Sequence, residues 1–267
     1  MKILVLGYRG MLGSTLYRKL VEQWGVECVL GHSVRINSVF DYVREFDDGK
    51  VLSGYDIVFN CIGAIPQKQP TTEELIWNNI TLPMLLSRDC KKVVHFSTDC
   101  IFSGKTGQYS SDSEDWATDM YGWTKRMGEV YDQNVVVIRT SIIGHRGPKG
   151  LLEWFLNGTH TEVGGYVNHF WNGCTTNELA FLICNNFNFF LNGRGLLQLG
   201  GQRVSKYELL CMVADVYGVS TVIKKVECPQ TVDKSLLPNH KYFSVFKPLI
   251  MQLAEMRQEE QRWGTIK

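Results

Sequence analysis

Short apolar runs and amphipathic stretches alternate over the first 140 residues. The runs lie at Ile3–Leu6 and at 26–30, 56–61, 93–96 and 135–138. Continuous apolar character is typical of strands buried on both faces of a parallel sheet, and helical patterns between such strands supply the crossovers. The pattern therefore predicts an α/β fold with a doubly wound parallel sheet over residues 2–140.

The rhythm changes from about residue 145, where glycine, proline, histidine and tryptophan become frequent and the apolar runs shorten. Helical patterns run through 72–88, with Thr71 or Thr72 as N-cap, and beyond the change at 150–157, 176–189, 205–217 and 248–263. Ser205 is the expected N-cap of the fourth of these, and 195–199 fits a strand. We expect residues 145–267 to form mostly a smaller lobe.

A glycine-punctuated turn joins the first predicted strand to a helical pattern that runs to Trp24. Gly7, Gly10 and Gly13 are spaced Gly-x-x-Gly-x-x-Gly. Glycines allow a backbone to approach a pyrophosphate closely, and a helix N-terminus presents free N–H groups and the positive end of its dipole. The strand before and the helix after favour dinucleotide binding over a plain tight turn.

The second predicted strand ends in Gly31, His32 and Ser33, without the acid that usually meets the ribose 2′-hydroxyl of NAD. Arg9, inside the glycine turn, can instead meet a 2′-phosphate, with His32 or Arg35 as a helper. This arrangement favours NADP over NAD. The alternative is that Arg9 is a solvated loop charge.

Tyr121 precedes Lys125 by four residues in the stretch 119–129. In a helix both side chains leave the same face. A lysine cation lowers the pKa of a phenol from its ordinary value of about 10, so the pair can exchange a proton with a carbonyl or hydroxyl oxygen. A solvated helix face explains the spacing alone. Thr98 and Cys100 follow the run 93–96, at the sheet edge where ligands bind in parallel sheets.

Composition narrows the remaining classes. The 28 basic and 27 acidic residues give a net charge of +1, which supports neither a nucleic-acid nor an anionic-membrane partner. The eight cysteines show no Cys-x-x-Cys or zinc-ligand spacing, so we expect no metal site and reduced thiols. No apolar run approaches the roughly 18 residues of a membrane span, and a strand starting at Lys2 leaves no room for a signal peptide. A cytoplasmic protein is expected.

Three ordered motifs carry a family resemblance: GYRGMLG at 7–13, STDCIF at 97–102 and YGWTK at 121–125. Together they resemble the extended short-chain dehydrogenase/reductase superfamily. Within it the chain is most similar to the dTDP-4-dehydrorhamnose reductases and GDP-fucose synthases, clearly over the first 145 residues and weakly beyond. The resemblance implies an NADP-binding Rossmann domain at 1–145 and a mainly substrate-binding lobe at 146–267, partly interleaved with the first.

The resemblance also implies an activity, NADPH-dependent reduction of the C4 keto group of a nucleotide-diphosphate 4-keto-6-deoxyhexose. Thr98 would hydrogen-bond the carbonyl, Tyr121 would be the general acid, and Lys125 would hold the nicotinamide ribose and lower the phenol's pKa. The resemblance does not specify which nucleotide or which sugar is bound. It is compatible with a homodimer. The residues that would bind NADP(H) are Gly7, Arg9, Gly10, Met11, Leu12, Gly13, His32, Asn37, Cys61, Ile62, Gly63, Asn79, Tyr121 and Lys125.

Cys100 stands where the fucose synthases and the bifunctional 3,5-epimerase/4-reductases carry a cysteine that serves as an epimerisation acid/base. The simple rhamnose reductases commonly carry tyrosine there. A thiol beside a bound ketone can remove the proton alpha to it, and Lys149 or His145 would protonate the other face. Epimerisation by Cys100 and Lys149 and a plain core cysteine both remain open.

Two other functions compete with the reductase. The regulatory subunit of methionine adenosyltransferase resembles the same reductases and binds NADP without known turnover, so a non-catalytic subunit is an alternative. The presence of Thr98, Tyr121 and Lys125 favours catalysis. An NAD-retaining epimerase or 4,6-dehydratase is a third possibility; a dehydratase would want an acid pair, whereas Asp99 is followed by no glutamate.

Overall fold

The computed structural model describes residues 1–146, 150–240 and 246–263. Contacts divide the chain into two compact units. The first unit comprises Met1–Ile101, Trp116–Arg139 and Ala180–Leu197, and the second comprises Phe102–Asp115, Thr140–Leu179 and Gln198–Lys267. Each unit therefore draws on three separate stretches of chain.

The helices and strands alternate over the first half of the chain and mix less regularly afterwards. The strands are β1 Ile3–Leu6, β2 Val29–His32, β3 Ile57–Asn60, β4 Val93–Ser97, β5 Val135–Arg139, β6 Ile142–Ile143, β7 Glu162–Tyr166, β8 His169–Trp171, β9 Cys174–Thr175, β10 Gly195–Gln198, β11 Val204–Ser205, β12 Val222–Val226 and β13 Val232–Asp233. The helices are α1 Met11–Trp24, α2 Val39–Phe46, α3 Thr72–Ile76, α4 Leu82–Asp89, α5 Met120–Met127, α6 Leu151–Asn157, α7 Thr176–Asn185, α8 Phe187–Asn192, α9 Lys206–Tyr217 and α10 Leu249–Trp263.

The first unit is built on a six-stranded sheet of order β2-β1-β3-β4-β5-β10. Strands β1 to β5 pair in parallel, with Ile3 beside both Val29 and Ile57 and with Ser97 beside Arg139. Every residue of β1, β3 and β5 is buried, as expected for strands covered by helices on both faces. The predicted doubly wound α/β fold is confirmed.

The second strand starts and ends later than the sequence pattern predicts. The apolar run at 26–30 suggests a strand, but β2 is Val29–His32. Gly25 has a φ of 84° and accepts a hydrogen bond from the Cys28 amide, which makes a turn, and Val26 is 68% exposed. Val26 therefore lies in the turn and outside β2, although its side chain is apolar.

The helical stretch predicted at 72–88 is interrupted. Thr71 caps α3 in a reciprocal arrangement with Glu74, as expected. A π-helical turn, Trp77–Thr81, then separates α3 from α4. Such turns insert one extra residue and occur often at functional sites. The turn places Asn79 entirely out of solvent.

The second unit contains three small sheets. They have the order β11-β8-β13, β12-β7 and β6-β9. Leucine, phenylalanine and methionine side chains of α6, α9 and α10 pack into one cluster with Trp171. Ser205 caps α9 together with Glu208, as the sequence predicts.

Two short helices, α7 and α8, occupy the stretch predicted as one helix. The single helix predicted at 176–189 is two helices, because Asn186 takes a non-helical conformation between α7 and α8.

Among the described residues, no helix combines the length and apolar character needed to cross a lipid bilayer.

Candidate active site

The conformation of the glycine turn at the end of β1 is fixed by contacts within its own backbone. Gly7 has a φ of 72°, which favours glycine, and its carbonyl accepts a hydrogen bond from the Gly10 amide at 2.9 Å. A Cβ atom on Gly13 would lie 2.8 Å from the carbonyl carbon of Gly7 and closer still to its oxygen. Helix α1 therefore starts directly against the turn, with Met11 as its first residue and Leu12 buried behind it.

This turn meets the loop that follows β3. A Cβ atom on Gly7 would be 3.1 Å from the Cys61 backbone and from the Ile62 side chain. The Ile62 amide donates to Asn60 Oδ1 at 3.2 Å, and burial raises the pKa of the Cys61 thiol. Three of the predicted cofactor-binding residues, Gly7, Cys61 and Ile62, thus lie together.

No side chain caps the N-terminus of α1, and its first turn carries no acid. Amide groups in that position and a glycine turn without side chains fit a pyrophosphate. The residues present therefore fit a dinucleotide, whose phosphates the turn from Gly7 to Gly13 would hold.

Asn79 links the β3 loop to α5. Its Oδ1 accepts from the Ala64 amide at 3.0 Å, and its Nδ2 donates to the Ala64 carbonyl at 3.1 Å and to Thr124 Oγ1 at 3.1 Å. The predicted groove residue Gly63 is next to Ala64 and exposed. Asn79 therefore holds the wall of the predicted groove through bonds within the protein.

The end of β2 carries the residues expected near the adenosine ribose. His32 Nε2 is 2.6 Å from Glu45 Oε1, an acid that the sequence pattern did not single out. A Cβ atom on residue 31 would lie 2.6 Å from the ring of Tyr8, so a side chain is excluded there. Arg9 is exposed and its Nε donates to Tyr8 Oη at 3.3 Å. The Asn37 amide donates to Asp41 at 3.1 Å.

Thr98, Tyr121 and Lys125 come together at the carboxyl end of β4. Asp119 caps α5 by accepting from the Gly122 amide at 2.9 Å, which places Tyr121 in the first turn. The Thr98 hydroxyl donates to Asp99 Oδ1 at 3.0 Å, and Thr98 lies close enough to Tyr121 to lower the pKa of its phenol. Lys125 Nζ donates to the Phe96 carbonyl at 2.7 Å.

The pKa of the Tyr121 phenol is raised, whereas the sequence spacing predicted that Lys125 would lower it. The pKa of the Tyr121 phenol is raised, first by burial and then by the nearby Cys100 and the carboxylates of Asp99 and Asp119, while Thr98 opposes the shift. Burial lowers the pKa of Lys125 to about 8, against the charge of Glu129. Desolvation outweighs the attraction that the spacing suggested, and the phenol stays protonated at neutral pH.

Cys100 lies beside the catalytic candidates. Its amide donates to Thr98 Oγ1 at 3.1 Å, and its negative form would raise the pKa of Tyr121. Two residues are considered as its partner. His145 lies in the second unit, where Glu153 and Tyr217 engage its two ring nitrogens, each at 2.9 Å. Lys149 lies outside the described residues.

The sequence pattern missed two buried groups near Lys125. His95 on β4 is 1% exposed and contacts Asn60 Nδ2 through Nδ1 at 3.2 Å. Glu129 forms an ion pair with Arg139 behind α5. Glu129 could have been found from its place four residues after Lys125, the spacing at which side chains of a helix are neighbours. Among the residues that the structure describes, no group of histidine, cysteine and acid side chains is arranged to hold a metal ion.

Comparisons with known proteins agree with this architecture. The family model described as the NAD dependent epimerase/dehydratase family matches residues 3–137. No curated protein matches the sequence.

Solved structures with the same fold cover nearly the whole chain. A dTDP-4-dehydrorhamnose reductase from Clostridium acetobutylicum ATCC 824 has a TM-score of 0.80 at 20% identity, over 98% of this chain and 100% of the other. The dTDP-4-dehydrorhamnose reductase from Bacillus anthracis str. Ames in complex with NADP has a TM-score of 0.79 at 15% identity, over 97% and 99%.

A third structure is a variant UDP-glucuronic acid 4-epimerase from Bacillus cereus in complex with NAD and UDP-4-deoxy-4-fluoro-glucuronic acid. It has a TM-score of 0.72 at 17% identity, over 99% of this chain and 100% of the other. Identities this low establish the shared fold.

Proposed function

The chain belongs to the NAD dependent epimerase/dehydratase family, and from this premise we propose that it reduces the C4 keto group of a nucleotide-activated 4-keto-6-deoxyhexose with NADPH. The observation that carries the proposal is the meeting of Thr98, Tyr121 and Lys125 at the carboxyl end of β4. Ligands of open parallel sheets bind at this edge, and the glycine turn after β1 opens on the same edge.

The proposed chemistry assigns a task to each of the three side chains. A dinucleotide held by the turn from Gly7 to Gly13 would supply the hydride for C4. The Thr98 hydroxyl, which donates to Asp99 Oδ1 at 3.0 Å, turns to donate its hydrogen bond to the C4 oxygen and polarises the carbonyl. Tyr121 transfers its phenolic proton to that oxygen, which converts the ketone into an alcohol and leaves a phenolate. The Lys125 ammonium stabilises the phenolate.

The direction of the pKa shift of Tyr121 supports the reduction. Because burial and neighbouring negative charges raise this pKa, the phenol carries its proton at neutral pH and can act as an acid. Lys125, with a pKa of about 8, is mostly charged at the same pH. The two groups are therefore in the protonation states that the proposed step needs.

NADPH is the proposed reductant because the end of β2 offers no free acid to a ribose 2′-hydroxyl. The Tyr8 ring excludes a side chain at position 31, and the Glu45 carboxylate is engaged by His32. The exposed Arg9 guanidinium is available to a 2′-phosphate. The fold is shared with a dTDP-4-dehydrorhamnose reductase that was crystallised with NADP, which supports the same cofactor.

The proposed substrate is a nucleotide sugar, since the similar structures include a nucleotide-sugar epimerase in complex with a UDP-sugar. The second unit is the proposed substrate-binding lobe. A panel of dTDP-, UDP- and GDP-linked 4-keto-6-deoxyhexoses with NADPH in deuterated water tests both points. We expect loss of NADPH absorbance with at least one member and slower loss with NADH. No NADPH consumption with any of them would exclude the reductase.

We extend the proposal to 3,5-epimerisation, with Cys100 removing the proton alpha to the ketone. Its support is the position of Cys100 beside Thr98 and Tyr121. The proposed opposing acid is Lys149, since both ring nitrogens of His145 are engaged.

The same panel tests the epimerase by mass spectrometry of deuterium taken up at the alpha carbons. Cys100→Ser is expected to lose exchange and keep reduction. Cys28→Ser is the matched control, because Cys28 lies in the turn before β2. Undiminished exchange in Cys100→Ser would remove the thiol from the mechanism.

A non-catalytic NADP-binding subunit is the alternative. The complete set of Thr98, Tyr121 and Lys125 weighs against it, since binding alone needs no proton donor. NADPH binding without consumption, together with capture of a larger enzyme partner, would favour the alternative.

A further inference from the structure

A buried ionic network lies next to the end of α5, the helix that carries Tyr121 and Lys125. Arg139 donates to Glu129 through Nε at 2.9 Å and through the second guanidinium nitrogen at 2.6 Å, one bond to each carboxylate oxygen. Both side chains are almost fully buried, at 2% and 3% exposed. The Ser97 hydroxyl donates to Glu129 Oε1 at 2.5 Å, and the Tyr131 phenol donates to Oε2 at 2.6 Å.

The network joins three elements that carry or flank the catalytic candidates. Ser97 is the last residue of β4 and directly precedes Thr98, and it pairs in the sheet with Arg139 at the end of β5. Glu129 follows α5, four residues after Lys125. The carboxylate therefore ties the C-terminal end of the catalytic helix to the two strand ends beneath it.

A second contact between α5 and β4 lies beside the bond from Ser97 to Glu129. Lys125 Nζ donates to the carbonyl of Phe96, the residue before Ser97. Gly128 lets the chain pass directly against the backbone of Asn79, where a Cβ atom would overlap the Asn79 carbonyl oxygen. The end of α5 is thus fastened to β4 at adjacent residues, and Tyr121 lies one turn before Lys125.

The charges around Lys125 are unequal. The Glu129 charge, four residues later in the chain, raises the pKa of Lys125. His95 on β4 is a buried group whose own pKa is lowered by burial and by the Lys125 charge. Arg139, on β5, lies across the Glu129 carboxylate. An arginine stays charged in proteins, so loss of the Glu129 charge would leave two buried cations, of which only Lys125 can release a proton.

We propose that Glu129 is a positioning residue for the Tyr121–Lys125 pair. Its carboxylate holds the end of α5 against Ser97 and supplies the negative charge that keeps the Lys125 ammonium protonated. The catalytic consequence rests on the proposed reductase function, whereas the protonation of Lys125 does not. A buried ion pair is by itself weak evidence for stability, and the positioning role gives the Glu129 charge a function beyond stability.

The direct test is an NMR titration of the protein with lysine labelled with ¹³C at Cε. The Lys125 resonance is identified by its absence in Lys125→Met. We expect the Lys125 midpoint to fall by about one pH unit in Glu129→Gln, the size of effect that an adjacent charge exerts. Tyr131→Phe is the matched control: it removes a hydrogen bond to the same carboxylate and leaves its charge, so the midpoint should stay.

The result that overturns the proposal is an unchanged Lys125 midpoint in folded Glu129→Gln with only thermal stability lost, since the pair would then be purely structural. Where Glu129→Gln does not fold, Glu129→Gln/Arg139→Met removes both buried charges and leaves no stranded arginine. The Lys125 midpoint is expected to fall in this double variant too, and an unchanged midpoint there has the same meaning.

A second readout connects the titration to turnover. The pH at which kcat/KM for the keto sugar declines on the alkaline side should shift down with the NMR midpoint in Glu129→Gln. If no member of the substrate panel is turned over, the proposed function fails while the NMR result still decides the role of Glu129.

Discussion

The carbonyl group of Gly7 occupies the space into which any side chain on Gly13 would point, with its carbon 2.8 Å from the position of a Cβ atom. This contact fixes helix α1 directly against the turn that is proposed to hold a pyrophosphate. Gly13→Ala must therefore push the helix away from the turn. We expect a loss of about 1–3 kcal/mol of unfolding free energy and at least a tenfold weaker NADPH affinity, measured by chemical denaturation and fluorescence titration.

Gly54→Ala is the matched control for this change. A Cβ atom on Gly54 meets nothing within 4 Å, so the same substitution should leave stability and NADPH affinity near those of the wild type. Equal NADPH affinity in Gly13→Ala and the wild type would contradict the proposed placement of the pyrophosphate.

Tyr121→Phe removes the proposed proton donor and keeps the ring. We expect kcat for the keto sugar to fall by about 10²–10⁴-fold, the usual contribution of a positioned general acid, with NADPH binding retained because the ring stays in place. Steady-state kinetics and fluorescence titration give the two numbers. Undiminished turnover would refute the role of the phenol.

Asn79→Ala breaks three buried hydrogen bonds, two to Ala64 and one to Thr124. Each contributes about 1 kcal/mol, and the stranded backbone groups add to the cost, so we expect a loss of about 3 kcal/mol in chemical denaturation. Asn78→Ala, which removes a single bond to the Glu74 carbonyl, should cost less than about 1 kcal/mol. Equal losses in the two variants would show that the link to α5 is unimportant.

His95 should make the fold sensitive to acid. Its pKa in the folded protein lies well below the ordinary value of 6.5 because of burial and the Lys125 charge. A lowered folded pKa means that the stabilising contribution is complete above pH 6.5 and is lost as the pH falls. In chemical denaturation between about pH 7.5 and 5.5, the wild type should lose about 1 kcal/mol more than His95→Gln.

His160→Gln is the control for the acid prediction, because His160 is exposed and its replacement should leave the pH dependence of stability as in the wild type. The same pH dependence in His95→Gln and the wild type would show that protonation of His95 is not opposed by the fold.

Local sequence features predicted much of the fold and the identity of the family. Continuous apolar runs predicted β1, β3, β4 and β5 to within a residue or two, because a strand buried on both faces must be apolar throughout. The family resemblance was confirmed by the family model over residues 3–137. The boundaries of β2 could not be read from hydrophobicity, since the turn at Gly25 is made by backbone conformation.

Residues close together in the chain were enough to predict the parallel sheet, the glycine turn and a tyrosine and a lysine one helical turn apart, because strand burial, backbone freedom and helical spacing act over a few neighbours. Contacts made on folding were needed to show that burial raises the pKa of Tyr121, that Asn79 joins the β3 loop to α5, and that Glu129 meets Arg139 and Ser97. These outcomes depend on desolvation and on contacts between residues distant in sequence, which no local pattern records.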